Sequence, residues 1–385
     1  MMDVRGAGAG APPAVILLAG GRGSRLHELT ETTCKPAVPF AGGCRIVDFV
    51  VANIAGSGFA HATVATQYMA DPLERHLAAR WRRDRTGLSL HMRRPGGAGY
   101  RGTADAVHRN LDPDTEAGEV IVLSADHVYG MDYRPMLAAH RASGAMVTLA
   151  ADVVPRTAAH AFGVIDADSD GRVLSFLEKP RVPPAMPGHP DRALVSMGIY
   201  VFDRAWLSAR LADDARDLTS GHDFGHDILP RAVAEGVVHV HGNGAEGAAP
   251  YWRDVGSLDA LRLTWLDFVR ADPPCALPDP VATCGIGPRA SWPGLSRSVL
   301  AECGTVAMPG ATVARGARVS RAILGPGAEV PASLVIGEDP DEDALWFRRT
   351  ETGTTLVTAA MLARRRDERQ RLFQVPANIV AIRKV

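Results

Sequence analysis

The stretch Ala14-Val-Ile-Leu-Leu-Ala-Gly-Gly-Arg-Gly-Ser-Arg-Leu26 decides how this chain is read. Val15 to Leu18 form a short unbroken apolar run, the pattern of a strand buried on both faces of a parallel sheet. Ala19, Gly20, Gly21 and Gly23 follow, with Arg22 and Arg25 among them. Glycine lets a backbone turn tightly and come close to a ligand, so that its N–H groups face phosphate oxygens. The arginines supply charge-assisted donors for the same oxygens. The spacing matches neither the dinucleotide-binding G-x-G-x-x-G pattern nor the P-loop, and a glycine-rich strand-to-helix turn with solvated arginines fits the same letters. The rest of the chain has to separate the two readings.

Its 385 residues suffice for two domains with full cores, and 46% hydrophobic with 22% charged residues is ordinary globular composition. A formal net charge of −1 gives no global field toward nucleic acid or an anionic membrane. The five cysteines (Cys34, Cys44, Cys275, Cys284 and Cys303) are scattered and form no CxxC pair, which argues against a zinc ribbon or a disulfide framework. The expectation is a reduced, cytoplasmic protein. Residues 1–12 read as a flexible leader, and the apolar run behind them is too short for a signal peptide or a membrane span.

Further along, Lys35 precedes Pro36, which predicts extended backbone at the lysine. Residues 45–53 read as a helix start, 62–68 as a second buried strand, and Asp71-Pro72 as the cap and first residue of a helix reaching Arg83. Residues 120–126 form a strand ending on Asp126, and 145–152 another. Strands alternating with helices predict a three-layer α/β domain, in which ligands sit beyond the carboxyl ends of the strands. Arg22, Gln67 and Asp126 all fall at or just after such ends. Strands at 162–166, 173–180 and 196–202, a helix at 226–235, Tyr251-Trp-Arg-Asp-Val-Gly256 and a helix from Leu258 to about Arg270 complete a domain over 13–270. A proline-rich linker is expected at 271–293. Residues 294–385 form a second domain, where Val313, Val319, Val330 and Ile336 recur near a period of six with glycines between them. That pattern predicts about two hexapeptide β-helix coils, or else a Gly/Val-rich loop region.

Asp126 and Asp254 are placed in sequence to share one Mg²⁺, which takes one or two carboxylates plus phosphate oxygens; each alone also fits a cap or an ion-pair partner. Arg22, Arg25, Lys35 and Lys179 would surround phosphates with positive charge. Tyr100-Arg-Gly-Thr-Ala-Asp105 suits closure over a base or sugar, or a plain helix start capped by Thr103.

These residues carry a resemblance. Ala19-Gly-Gly-Arg-Gly-Ser-Arg-Leu26, Lys35-Pro-Ala-Val38, Tyr100-Arg-Gly-Thr-Ala-Asp-Ala-Val107, Ala125-Asp-His-Val-Tyr129, Glu178-Lys-Pro180, Ser196-Met-Gly-Ile-Tyr-Val-Phe202, His222-Asp-Phe-Gly225 and Tyr251-Trp-Arg-Asp-Val-Gly256 resemble the bacterial glucose-1-phosphate adenylyltransferases. The resemblance implies a Rossmann-like nucleotidyltransferase domain with a mixed, mainly parallel sheet, followed by a short left-handed β-helix. It implies transfer of AMP from ATP to glucose 1-phosphate with Mg²⁺ held by Asp126 and Asp254, in a homotetramer. The nucleotide would meet Ala19, Gly20, Gly21, Arg22, Gly23, Arg25, Gln67, Gly102 and Thr103, with Arg25 and Lys35 on the triphosphate. Lys179 would grip the sugar phosphate, in a pocket of Tyr100, Gly163, Glu178, Ser196, Asp223, Phe224 and Trp252.

The departures from the family pattern are specific. Thr32 and Thr33 stand where effector-responsive members carry basic residues, Gly99 where a tryptophan is common, and Glu116 where a regulatory arginine is often found, while Arg45 remains. Each lost charge-assisted contact is worth roughly 1.5–3 kcal/mol. Activation by sugar bisphosphates and inhibition by AMP are therefore expected to be weak or altered. Two alternatives are a nucleotidyltransferase of other base or sugar specificity (GDP-mannose or UDP/dTDP-glucose type) and a non-catalytic regulatory subunit.

Overall fold

The computed structural model describes residues 11–242, 251–269, 272–279 and 297–373. Strands β1 (Ala14–Ala19), β2 (His61–Thr66), β3 (Ser89–Arg93), β4 (Glu119–Ser124), β6 (Val147–Pro155), β9 (Arg192–Asp203) and β10 (Val238–Gly242) make one sheet in the order β10-β6-β9-β4-β1-β2-β3. Four neighbouring pairs are parallel; only the long β9 runs antiparallel, to β4 and to β6. The hairpin of β7 (Gly163–Ala167) and β8 (Val173–Glu178) hangs from the first half of β9. A small separate sheet pairs β5 (His127–Tyr129) with β11 (Trp252–Asp254).

The alternation in β1 and β4 explains the three layers. Val15, Leu17, Ile121 and Leu123 point into one core, covered by helices α1 (Ile46–Gly56), α2 (Ala70–Arg80) and α5 (Arg134–Ser143). Ile16, Val120 and Val122 point into the other, under α4 (Thr103–Asn110), α6 (Arg204–Arg216) and α7 (Leu229–Glu235). A short α3 (Arg83–Thr86) connects α2 to β3. Three expectations change. Helix α2 begins two residues early, capped by Met69 in left-handed conformation (φ 44°), so Asp71 and Pro72 lie inside its first turn, and it ends at Arg80 rather than Arg83. Lys35 is not extended but opens a 3₁₀ turn, Lys35–Ala37, in which Val38 N–H returns to the Lys35 carbonyl. The edge strand β3, too short and polar to register as a strand, completes the sheet.

After α8 (Leu258–Asp267), the proline-rich segment does not leave the first domain at once. Pro278 O accepts from Arg80 Nη2 at 2.7 Å, and Cys275 and Leu277 pack on the core. The rest of the expected linker, to residue 293, lies almost wholly outside the described residues, as do 1–10. Beyond α9 (Arg297–Glu302) the hexapeptide pattern forms two coils: β12 (Val306–Ala307), β13 (Thr312–Val313) and β14 (Arg318–Val319), then β15 (Ala322–Leu324), β16 (Glu329–Val330) and β17 (Val335–Ile336). Each strand of the first coil pairs in parallel with its counterpart in the second. The chain then leaves through α10 (Pro340–Trp346) and β18 (Arg348–Arg349), returns as β19 (Thr355–Val357) to start a third coil, and ends in α11 (Ala359–Phe373).

The two domains share a core. Leu26, Phe40, Phe49, Leu261 and Trp265 pack with Val306, Met308, Ile323 and Leu356 of the β-helix. Arg348 adds a bidentate ion pair to Glu28, 2.6–3.0 Å, on the 3₁₀ helix Ser24–Thr30 that carries Arg25. No helix among the described residues is long and apolar enough to cross a membrane.

Candidate active site

The glycine loop leaves β1 and packs on Lys35. Gly23 has φ 71°, and a Cβ there would stand 2.5 Å from the Lys35 Cβ, so only glycine lets the loop close on the lysine stem. Lys35 is itself buried, its side chain 5% exposed. Its ammonium donates to Asp254 Oδ1 at 2.7 Å and lies 3.0 Å from Asp126 Oδ2. One lysine thus bridges two carboxylates separated by more than a hundred residues. The topology explains the meeting. Asp126 follows the carboxyl end of β4, and the β5–β11 pairing sets Asp254 opposite His127, the next residue.

Burial by itself would raise the Asp126 carboxyl, but the Lys35 charge, His127 and the Ser124 hydroxyl, which donates to Asp126 Oδ1 at 2.7 Å, outweigh it and hold the pKa well below the usual range. Burial likewise pushes the Lys35 ammonium down, yet Asp126 and Asp254 together leave it above the ordinary lysine value. Arg25, largely exposed, extends the positive edge, with Nη2 3.7 Å from Asp254 Oδ2. Two hard carboxylates converging on a single cation are a donor set that fits a divalent metal using phosphate oxygens for its other positions.

Beside this centre lies a cavity of about 430 Å³. Gly20 and Gly21 line it on one side, Gln67, Gly102 and Thr103 on another, and Asp126 and Asp223 border it. The Gln67 side-chain carbonyl accepts from Tyr100 N–H at 2.6 Å, which fixes the two loops to each other. Tyr100, expected in the sugar pocket, lines this same cavity, and its hydroxyl donates to Arg93 O. Thr103 does not cap α4 (Gly102 holds that position); its hydroxyl donates to Asp223 Oδ2 at 2.9 Å. Arg22 stacks over the Tyr68 ring at 5.2 Å.

The remaining residues divide between surface and support. Lys179 is exposed, pairs with Glu178, and adopts φ 45°, a left-handed conformation that non-glycine residues hold only under constraint. Gly163 and Gly225 leave room for Glu178: a Cβ on Gly225 would lie 2.7 Å from Glu178 Oε2, and one on Gly163 would overlap Phe176. Ser196 is buried and donates to the Tyr200 hydroxyl at 3.3 Å. Phe224 packs on Tyr200 and Phe202, and Trp252 on His127 and Phe162, so both rings are buried.

Sequence reasoning missed His127, whose Nε2 lies 3.7 Å from Asp126 and 4.0 Å from Asp254, and whose Nδ1 lies 3.3 Å from Trp252 Nε1. Its position directly after Asp126 was the available signal. Ser124 was missed as well.

Residues 14–267 match the nucleotidyl transferase family, and 296–357 the GlmU-like C-terminal hexapeptide family. Along most of its length the chain is also similar to proteins named glucose-1-phosphate adenylyltransferase. It is 41% identical to that of Jannaschia sp. (strain CCS1), covering 91% of this chain and 96% of the relative. It is 41% identical to that of Granulibacter bethesdensis, covering 90% and 96%, and 40% to that of Rhodopseudomonas palustris (strain TIE-1), covering 90% and 95%. The chain belongs to the glucose-1-phosphate adenylyltransferase family. In this family member the hexapeptide unit is a left-handed β-helix attached to an α/β nucleotidyltransferase domain.

Proposed function

We propose that this protein transfers AMP from ATP to α-D-glucose 1-phosphate, releasing pyrophosphate. The observation that carries the reading is the Asp126–Lys35–Asp254 bridge beside the cavity lined by Gly20 and Gly21, which Asp126 borders. A phosphate oxygen of the sugar phosphate attacks the α-phosphorus in line; the bond to the β-phosphate oxygen breaks, and pyrophosphate leaves with its electron pair. No side-chain nucleophile takes part, so positioning and charge neutralisation are the protein's contribution. Backbone N–H groups of the glycine loop with Arg22 and Arg25 meet the triphosphate, and Lys35 neutralises charge developing on the leaving group. Gln67, Gly102 and Thr103 face the nucleoside. Asp126 and Asp254 would hold Mg²⁺, which supplies charge neutralisation at the phosphates. Lys179 holds the sugar phosphate, and Glu178 with Gly163, Ser196 and Asp223 forms the sugar side, backed by Phe224 and Trp252. The reading includes a cytoplasmic setting, with buried Cys34 and Cys44 thiols pushed up to about 11 and about 12 by burial. It also includes the family's homotetramer.

Pyrophosphate release from purified protein with Mg²⁺, glucose 1-phosphate and ATP, against UTP, GTP and dTTP, tests it. Turnover selective for ATP is expected. Preference for another triphosphate would give the chain the other base specificity, and no turnover would make it a non-catalytic subunit.

Lys179→Ala is expected to raise the KM for glucose 1-phosphate about tenfold or more with little change in kcat. An unchanged saturation curve would remove Lys179 from the sugar-phosphate role. Regulation is expected to be weak or altered. Thr32 and Thr33 line a cavity of about 920 Å³ between the domains, together with the acidic Glu28 and Glu31 and the basic Arg45 and Arg364. Initial rates with and without fructose 1,6-bisphosphate should agree within about twofold, because the threonines offer no charge-assisted contacts to phosphate; a strong activation refutes this.

A further inference from the structure

Asp214, in the last turn of α6, is 2% exposed, and His222 is 5% exposed. Ionisable side chains are this buried only when held by partners. Here they hold each other. The His222 Nδ1–H donates to Asp214 Oδ2 at 2.8 Å, the Ser220 hydroxyl donates to Asp214 Oδ1 at 2.6 Å, and His222 N–H donates to Ser220 Oγ at 2.9 Å. None of the three lines the nucleotide cavity or contributes to the Asp126–Lys35–Asp254 centre described above.

What the cluster fixes is the backbone of His222. That residue has φ 53°, a left-handed conformation with no glycine to relieve it. In that conformation its carbonyl accepts from Ala104 N–H at 2.8 Å, inside the first turn of α4. The approach is close enough that a Cβ on Gly102 would sit 2.2 Å from His222 O and 2.6 Å from Gly221 O. The next residue, Asp223, accepts from the Thr103 hydroxyl, and Phe224 N–H donates to the same hydroxyl at 2.9 Å. Gly102, Thr103 and Asp223 are all wall residues of the cavity. A chain of direct contacts therefore runs from a buried ionic cluster to the surface that meets the nucleotide.

We propose that Asp214, Ser220 and His222 form a positioning clamp that sets the Gly102–Thr103–Asp223 wall of the nucleotide cavity. The proposal rests on the nucleotidyltransferase reading of that cavity. The clamp touches no substrate. It holds His222 in its strained conformation and so fixes where the α4 terminus stands relative to Gln67 across the cavity. Loosening it moves the wall by tenths of an ångström, which is felt in nucleotide affinity and in discrimination between bases, while the Lys35 centre and Lys179 keep their own supports.

The test compares variants with the wild type using whichever nucleoside triphosphate the wild type turns over best, so a wrong base assignment does not enter the comparison. Asp214→Ala and His222→Ala are expected to raise the KM for that triphosphate about tenfold and, because Asp223 also borders the sugar side, the KM for sugar phosphate by a lesser factor of up to about threefold, and to leave kcat within about threefold. Both should also lower the ratio of kcat/KM between preferred and non-preferred triphosphates. His222→Asn tolerates left-handed backbone and offers an N–H donor near the Nδ1 position, so it should recover most of the affinity. Ser220→Ala, which keeps the Asp214–His222 pair and removes only the two bonds of the hydroxyl, reports in the same direction if either alanine variant fails to fold. The clamp is overturned if folded variants keep the nucleotide KM, if both KM values and kcat change together, or if His222→Asn is as impaired as His222→Ala.

Discussion

Lys35→Ala is expected to lower kcat by about three orders of magnitude or more and to make the fold dependent on divalent cation. Lys35 Nζ stands 2.7 Å from Asp254 and 3.0 Å from Asp126. Removing it leaves two carboxylates facing each other at a site where neither is well solvated. Breaking a buried pair from one side costs about 3–5 kcal/mol, and the partial exposure of Asp126 places this case toward the lower end. Thermal melts in EDTA should show the loss, and added Mg²⁺ should return more of it in the variant than in the wild type. Equal Mg²⁺ responses would show that the two aspartates do not share the ion.

The same pair fixes the pH dependence. Asp126 is held below its unfolded value, so its contribution is present above about pH 4 and is lost as pH falls through the folded pKa. Lys35 is held above its unfolded value, so its contribution is full below about pH 10 and is lost only as pH rises through the folded pKa. Without Lys35, burial dominates at Asp126 and its pKa climbs. The acid unfolding midpoint of Lys35→Ala should therefore move to higher pH, measurable by circular dichroism across an acid titration.

What was legible in the chain follows from the range of each interaction. Val15–Leu18 declared a doubly buried strand because its alternation into two cores is local, and Asp126 was visible because strand ends are where such sheets hold ligands. The bridge by Lys35 was not legible. Nothing in Lys35-Pro-Ala-Val38 shows that the lysine turns into a 3₁₀ helix and inward, and Asp254 reaches it only through a β5–β11 pairing between segments far apart in the chain. The sugar-side role of Tyr100 is what the resemblance implies, while its position in the fold depends on Gln67, a contact across two loops that no local pattern shows. The β-helix was readable from its period of six. The excursion through α10 and β18, which delivers Arg348 to Glu28, breaks that period and carried no signal of its destination.

Asp126→Asn is expected to abolish turnover as completely as loss of Lys35, about a thousandfold or more in kcat, but with a smaller stability penalty. The centre holds two acids and one buried base, so the two removals are not equivalent. Taking away Asp126 leaves Lys35 still paired with Asp254 at 2.7 Å, a neutral arrangement, and the amide keeps an oxygen for the Ser124 hydroxyl. Taking away Lys35 leaves like charges with nothing between them. What goes with Asp126 is its own ion pair to Lys35, which holds the carboxyl below the usual range and stabilises the fold at neutral pH. The melting temperature of Asp126→Asn should accordingly fall below that of the wild type in EDTA but stay above that of Lys35→Ala, while its kcat collapses and the KM for glucose 1-phosphate stays within about threefold. A melting temperature falling as far as that of Lys35→Ala would show instead that Asp126 carries as much of the bridge's stability as Lys35 does.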